Sequence, residues 1–88
     1  ELRIKRIRAL EQKSKKEQSS EIFMEAPYRN LELLQDLVAE LQPQTELAVA
    51  CDLTSPTQEV IVKTSKEWKK DPLPQIHKRP CVFIIFSK

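Results

Sequence analysis

The sequence predicts an α/β fold, a small mixed β-sheet of about four strands with a β-α-β crossover, flanked by helices. Three observations carry this prediction. Short apolar runs at residues 21–25, 47–51 and 81–86 are too brief for helices of their own and read as buried strands. Residues 2–10 and 31–41 instead repeat apolar side chains at three- and four-residue steps, the period of an amphipathic helix. The two kinds of segment alternate along the chain, and a sheet with helices packed on it is the natural way to bury both.

Taken in order, Leu2, Ile4, Ile7 and Leu10 interleave with Arg3, Lys5, Arg6 and Arg8, so the chain opens on a basic amphipathic helix. It gives way to the polar run 12–20, in which residues 13–18 continue it as an exposed tail and Ser19-Ser20 punctuates. Residues 21–25 form the first strand. Pro27 suits the first turn of the next helix, where its missing N–H costs nothing. Leu31, Leu34, Leu37, Val38 and Leu41 then share one face, with Glu32, Asp36 and Glu40 between them, and the helix stops before Pro43. With the strand at 47–51 this makes a strand–helix–strand crossover, whose two strands run parallel. A loop rich in Thr, Ser and Pro follows at 52–57, and 59–64 alternates as a strand. Ser65 is the expected N-cap of a short helical turn at 66–70, with Glu67 near its positive end and Trp68 turned inward as a core anchor. Asp71-Pro72-Leu73-Pro74 ends that turn. The run 81–86 is apolar on both faces and reads as a central strand. Phe23, Phe83 and Phe86 are assigned to the core.

Composition bounds the function. Eighty-eight residues make one small domain, and 40% apolar with 32% charged residues fits an ordinary soluble protein rather than a disordered or membrane chain. The longest apolar run has six residues, far below the roughly 20 that span a bilayer, and no secretory signal is present. The chain begins with Glu1 inside a helical pattern and reads as a piece of a longer protein. Glycine is absent, which rules out a Gly-rich phosphate loop within these residues and leaves the turns to Pro, Asn, Asp and Ser. Cys51 and Cys81 lie in apolar runs and read as buried reduced thiols; a disulfide requires that their strands be neighbours. Nothing indicates an oxidising compartment, so the expected location is cytoplasmic. With one histidine, His77, and no CxxC pair, no zinc site is expected. His77 beside Lys78-Arg79 reads as exposed, with a phosphate contact as the sharper option.

Net charge is +2, but the ends are basic and the middle acidic. Residues 1–18 hold seven basic against three acidic side chains, residues 19–65 two against eight, and residues 66–88 six against two. Two basic ends can attract phosphates, or simply be solvated helix faces.

Two constellations could carry chemistry. Glu25-Ala26-Pro27-Tyr28-Arg29 joins a strand tip to a helix start, where unpaired N–H groups favour ligands. Its Glu25 and Arg29 are spaced for a structural ion pair. Asp52-Leu53-Thr54-Ser55-Pro56-Thr57-Gln58 follows a strand expected beside the first and parallel to it. The two loops should then lie side by side at the carboxyl edge of the sheet, where α/β proteins place ligands.

These two blocks, with the Leu-rich helix and apolar strand between them, resemble the C-terminal domain of the tetrapyrrole (corrin/porphyrin) methylase family. In particular they are similar to its S-adenosylmethionine-dependent 16S rRNA cytidine 2′-O-methyltransferase branch, over residues 20–86. The resemblance implies that residues 1–88 are the C-terminal half of a two-domain methyltransferase whose Gly-rich loop lies in an N-terminal domain outside this chain. It implies S-adenosylmethionine as cofactor, facing Glu25, Ala26, Pro27, Tyr28, Leu53 and Thr54 largely through backbone and packing, with Pro80-Cys81 bordering the adenine. It implies rRNA, or the small ribosomal subunit, as partner, with no membrane, a homodimer as an option, and no activity in the 88 residues alone. Glu25 and Arg29 are the candidates for placing cofactor or acceptor; no general base is identified. The sequence departs from the rRNA branch at Tyr28 (usually His), Asp52 (usually Glu) and Ser55 (usually Lys). The stretch from Thr54 to Gln58 is similar to a Thr-x-Pro-x-Gln stretch of porphyrin-methylating relatives, so a tetrapyrrole carbon is the alternative acceptor. From a different class, a non-catalytic module binding nucleic acid or protein through the basic first helix is the third reading.

Overall fold

Helices cover one face of a four-stranded sheet in the computed structural model, which describes residues 2–87. In chain order the elements are α1 (Leu2–Glu17), β1 (Glu21–Met24), a 3-10 turn (Pro27–Arg29), α2 (Asn30–Glu40), β2 (Glu46–Cys51), β3 (Glu59–Thr64), α3 (Ser65–Lys70) and β4 (Cys81–Phe86). The strands pair in the order β1-β4-β2-β3. The predicted α/β architecture is what forms, and β1 and β2 do run in the same direction across α2. They are not neighbours, however. β4 lies between them, antiparallel to both, so that Phe23, Phe83 and Val49 line up across the sheet. The reason is burial: β4 is the strand with apolar residues on both faces, and a central place shields both, whereas an edge would leave one wet.

Alternation along the strands splits the apolar residues between two faces. Phe23, Leu47, Val49, Cys51, Cys81, Phe83 and Ile85 point to the helices and form one core with Ile7, Leu33, Leu34, Leu37, Leu41 and Trp68. Trp68 is buried as expected, and its indole N–H donates to the Leu47 carbonyl at 2.9 Å. Phe86 departs from the expectation. It is half-buried and lies on the opposite face of the sheet from Phe83 and Ile85.

Cys51 and Cys81 are exact cross-strand partners, and their sulfurs are joined in a disulfide. The sequence reading of reduced thiols is corrected by this pairing. Its premise, that the strands might not be neighbours, fails because β4 returns beside β2.

α1 runs through the polar stretch to Glu17 because two of its polar side chains are buried and used. Glu11 accepts hydrogen bonds from the Gln42 N–H (2.7 Å) and the Thr45 hydroxyl, tying α1 to the turn after α2. Ser14 donates to the Ser19 carbonyl and accepts from the Ser87 N–H at 2.9 Å. With no glycine to end this helix, Gln18 takes the left-handed conformation (φ 52°), and the Ser19 N–H closes on the Ser14 carbonyl in a Schellman-type arrangement. The N-cap of α3 is Thr64, not Ser65. The Thr64 hydroxyl accepts from the Glu67 N–H while the Glu67 carboxylate accepts from the Thr64 N–H, a reciprocal capping box. The Thr64 N–H first, and second the Thr64 hydroxyl, which also donates to the Glu67 carboxylate at 3.1 Å, hold that carboxyl below its ordinary range. Ser65 is buried and bonds the Val38 carbonyl instead. No helix among the described residues is long and apolar enough to cross a membrane.

Candidate functional site at the carboxyl edge of the sheet

Met24 and Cys51, the last residues of β1 and β2, pair with Val82 and Cys81 at the start of β4. The carboxyl ends of β1 and β2 therefore reach the same edge, as the sequence predicts. The loops they feed do not lie against each other, because the segment leading into β4 stands between them. That segment is stitched to both. On one side the Lys78 N–H donates to the Pro27 carbonyl at 3.0 Å, and the Asn30 amide donates to the Arg79 carbonyl. On the other, the Asp52 N–H donates to the Pro80 carbonyl at 3.0 Å. The edge is thus a three-part ledge: the turn at 25–30, the segment 78–80, and the loop at 52–58.

In the first part, Glu25 does not pair with Arg29. Its carboxylate accepts from the Ala26 N–H at 3.0 Å and faces Arg3 of α1 at 3.4 Å, while Arg3 also bonds Asp36 at 2.9 Å. A half-buried Glu25 with these partners is held in position and is not poised as a free base. Arg29 turns outward over the Tyr28 ring, 5.3 Å from its centroid, with Tyr28 itself exposed. The 3-10 turn begins at Pro27, whose fixed φ suits it, and closes with the Arg29 N–H on the Ala26 carbonyl at 2.8 Å.

The third part is organised by Arg79. Its Nε donates to Asp52 at 2.9 Å, its Nη1 to Glu59 at 3.0 Å and to the Gln75 carbonyl at 2.8 Å, and its Nη2 to the Thr57 carbonyl at 3.2 Å. Thr57 also donates to Asp52 at 2.9 Å. The Thr57 hydroxyl first, and the Arg79 guanidinium next, hold the Asp52 carboxyl below its ordinary range. Within the loop, the Gln58 side chain accepts from the Thr54 N–H at 2.8 Å, so Gln58 closes the turn. Leu53 and Thr54 are left exposed at its tip.

The backbone here is strained. Asp52 (φ 53°), Thr54 (φ 65°) and Lys78 (φ 64°) all adopt the left-handed region, and a β-branched residue pays most for it. The sequence expectation that Pro, Asn, Asp and Ser would supply the turns holds for Asp52 and misses Thr54 and Lys78. Sequence reasoning also passed over Arg79 and Asn30. Asn30 carried a readable signal: a polar residue in line with Leu33, Leu34 and Leu37 on the inward face of α2. It is fully buried, and its Oδ1 has no protein partner, which in a buried position calls for a donor. Arg79 carried none, since its charged partners Asp52 and Glu59 are 27 and 20 residues away in sequence. His77 is exposed. Among the described residues, no group of three or more His, Cys, Asp or Glu side chains is placed to hold a metal ion.

What this arrangement offers chemically is an apolar and backbone-rich ledge. Tyr28, Leu53 and Met24 expose apolar surface along it, and its carboxylates Glu25 and Asp52 are tied to Arg3 and Arg79. Such a surface suits packing against a flat or aliphatic ligand more than acid–base work.

No protein-family model matches the chain, and no curated protein matches it in sequence. Among solved structures, the fold is similar to the crystal structure of the methyltransferase CobJ, with a TM-score of 0.60 and 18% sequence identity. The likeness covers 96% of this chain and 34% of that one, so the chain spans about a third of the length of the protein it resembles. At this identity the likeness establishes the fold.

Proposed function

We propose that this chain is the C-terminal domain of an S-adenosylmethionine-dependent methyltransferase of the tetrapyrrole methylase kind, contributing one wall of the cofactor cleft. The observation that carries the reading is the likeness of nearly the whole chain to part of a methyltransferase, in a fold that brings both sequence blocks to one sheet edge. The residues present fit the cofactor. Tyr28, Leu53 and Thr54 are exposed at the ledge, and Glu25, Ala26 and Pro27 present a turn fixed by Arg3 and Arg29. S-adenosylmethionine brings an already activated methyl group. The work of these residues is to orient cofactor and acceptor and to exclude water. Glu25 acts as a positioning group, and Arg29, outward on Tyr28, is placed to meet an anionic acceptor.

For the acceptor, the reading is rRNA ribose 2′-hydroxyl, supported by the resemblance at residues 25–29 and 52–54 and by the exposed Lys5, Arg6, Lys13, Lys15 and Lys16 of α1. Methylation of a tetrapyrrole carbon is the second reading, favoured by Gln58 closing the Thr54 turn and by the CobJ likeness. The cytoplasmic location expected from the sequence is kept as a proposal that the Cys51–Cys81 disulfide opposes, since that compartment keeps thiols reduced. The oxidation state of Cys51 and Cys81 in protein isolated under alkylating conditions tests that part.

Addition of S-adenosylhomocysteine to the 15N-labelled chain tests the cleft. Amide shifts are expected at residues 25, 26, 28, 29, 53, 54 and 81, and shifts confined to other regions would refute it. The isolated 88 residues are expected to transfer no methyl group to 30S subunits or to a corrin, since half the cleft is supplied by another domain; turnover by this chain alone would overturn that division. In a protein containing both domains, labelled methyl transfer to 30S subunits with a steep salt dependence supports the rRNA reading. Transfer to a tetrapyrrole alone supports the second.

A further inference from the structure

The Arg79 guanidinium makes four hydrogen bonds, to Asp52, Glu59 and the Gln75 and Thr57 carbonyls, which leaves a single N–H unused. Those partners come from the loop after β2, the first residue of β3 and the approach to β4, all at the ledge. On the main chain, the Arg79 N–H donates to the Ile76 carbonyl at 3.1 Å, closing a turn in which Lys78 is left-handed. Ile76 is buried in the core and anchors that turn from below. The Arg79 carbonyl in turn accepts from Asn30 at the start of α2. Arg79 therefore reaches both candidate loops, the first through its backbone and the second through its side chain.

The loop at 52–58 needs such a partner. Asp52 and Thr54 take left-handed backbone without glycine, a conformation that an unrestrained chain leaves. The loop's own side-chain bonds, Thr54 N–H to Gln58 and the Thr57 hydroxyl to Asp52, are open to water, which competes for them. The Arg79–Asp52 pair is the sheltered contact, with 26% and 14% of the two side chains exposed. It holds the carboxylate that Thr57 also bonds, and the second bond of the fork reaches the Thr57 carbonyl. Leu53 and Thr54, at the exposed tip, are thus fixed from outside the loop. Since every guanidinium partner lies at this edge of the sheet, and half-exposed ion pairs add little to global stability, loss of the fork is felt in the loop more than in the fold.

We propose that Arg79 is a positioning residue of the ledge: without touching the ligand, it sets the affinity for the S-adenosyl group by fixing Leu53 and Thr54 through Asp52 and Thr57. This inference rests on the cofactor reading for the identity of the ligand, and on the geometry alone for the loop. A lysine at the same place keeps the charge but lacks the planar fork, so it cannot hold Asp52, Glu59 and the two carbonyls together. A loop that keeps its binding shape about a tenth of the time binds about tenfold more weakly, because apparent affinity scales with the competent fraction.

The test titrates S-adenosylhomocysteine into the 15N-labelled chain and its Arg79→Lys and Arg79→Gln variants, with amide exchange and urea unfolding measured on each. Both variants are expected to bind about tenfold more weakly, with faster exchange at Thr54, Thr57 and Gln58 and nearly the wild-type urea midpoint. Should Arg79→Gln lose its fold, Arg79→Lys carries the test. Asp52→Asn is expected to weaken binding in the wild-type chain and to add little in Arg79→Lys, because both changes act on one loop. Wild-type affinity in the Arg79 variants overturns the proposal. Additive losses overturn it too, as does a loss that follows the urea midpoint while loop exchange stays unchanged. If the wild-type chain takes no S-adenosylhomocysteine, the cofactor reading falls and the ligand named here falls with it. Exchange then decides the loop by itself: acceleration in Arg79→Lys upholds the hold of Arg79 on residues 52–58, and unchanged exchange overturns it.

Discussion

Asn30 and Arg79 hold the ledge together, and neither acts through a charge it keeps to itself. Asn30 is buried with its amide on the Arg79 carbonyl, while Arg79 spends its guanidinium on Asp52, Glu59 and two carbonyls of the loop. Asn30→Ala leaves that part-buried carbonyl without its donor and is expected to cost about 1 kcal/mol in urea unfolding, with amide shifts at Lys78 and Arg79. An effect under a few tenths would mean that the carbonyl finds water. Asp52 gives the pH signature. Its carboxyl is held below the ordinary value by Thr57 and then Arg79, so the folded state favours the charged form. Its contribution is therefore complete above the unfolded value of about 3.9 and is lost as pH falls through the lower folded value. A 13C titration should place the Asp52 midpoint below about 3.9, with hydrogen exchange at Thr54 and Thr57 accelerating only below it. A midpoint at or above that value would remove Asp52 from the loop's organisation.

At the scale of elements, sequence periodicity failed where polar side chains do the work of apolar ones. α1 continues past Leu10 as the sequence allows, but not as an exposed tail: Glu11 and Ser14, which break its apolar stripe, are buried on the face that carries Ile7 and bond other segments. The cap of α3 moved one residue for a related reason. Thr64 and Ser65 are both good caps by type, and burial of Ser65 against Val38 leaves the role to Thr64. Thr64→Ala should therefore lower stability by about 1 kcal/mol and fray the first turn of α3, read by urea unfolding and by exchange at Glu67. Equal exchange in wild type and variant would return the cap to Ser65. By contrast α2, whose apolar stripe is uninterrupted from Leu33 to Leu41, was legible throughout.

Over the whole molecule, the placement of β4 determines the rest. It separates β1 from β2, brings Arg79 between the two candidate loops, and puts Cys81 opposite Cys51. The disulfide closes a loop of about 30 residues, and in the chain-entropy account such a link is worth about 3–4 kcal/mol. Reduction with a dithiol is expected to lower the unfolding free energy by that order, without changing the fold. A chain whose stability and thiol count are the same before and after reduction would show that the thiols were never joined.

By itself the sequence determined the elements and their composition: three apolar runs and one alternating strand, two amphipathic helices, a Gly-free set of turns, and two blocks at strand ends. Those are local properties, set by side-chain period and turn chemistry within ten or so residues. Only the tertiary structure decided that Glu25 belongs to Arg3 and not Arg29, that Asp52 belongs to Arg79, that the cysteines meet, and that one apolar sheet face is left bare. Each of these follows from which strands become neighbours. That choice is made by burying the two-faced β4 at the centre of the sheet, a property of the assembled layers and not of any segment.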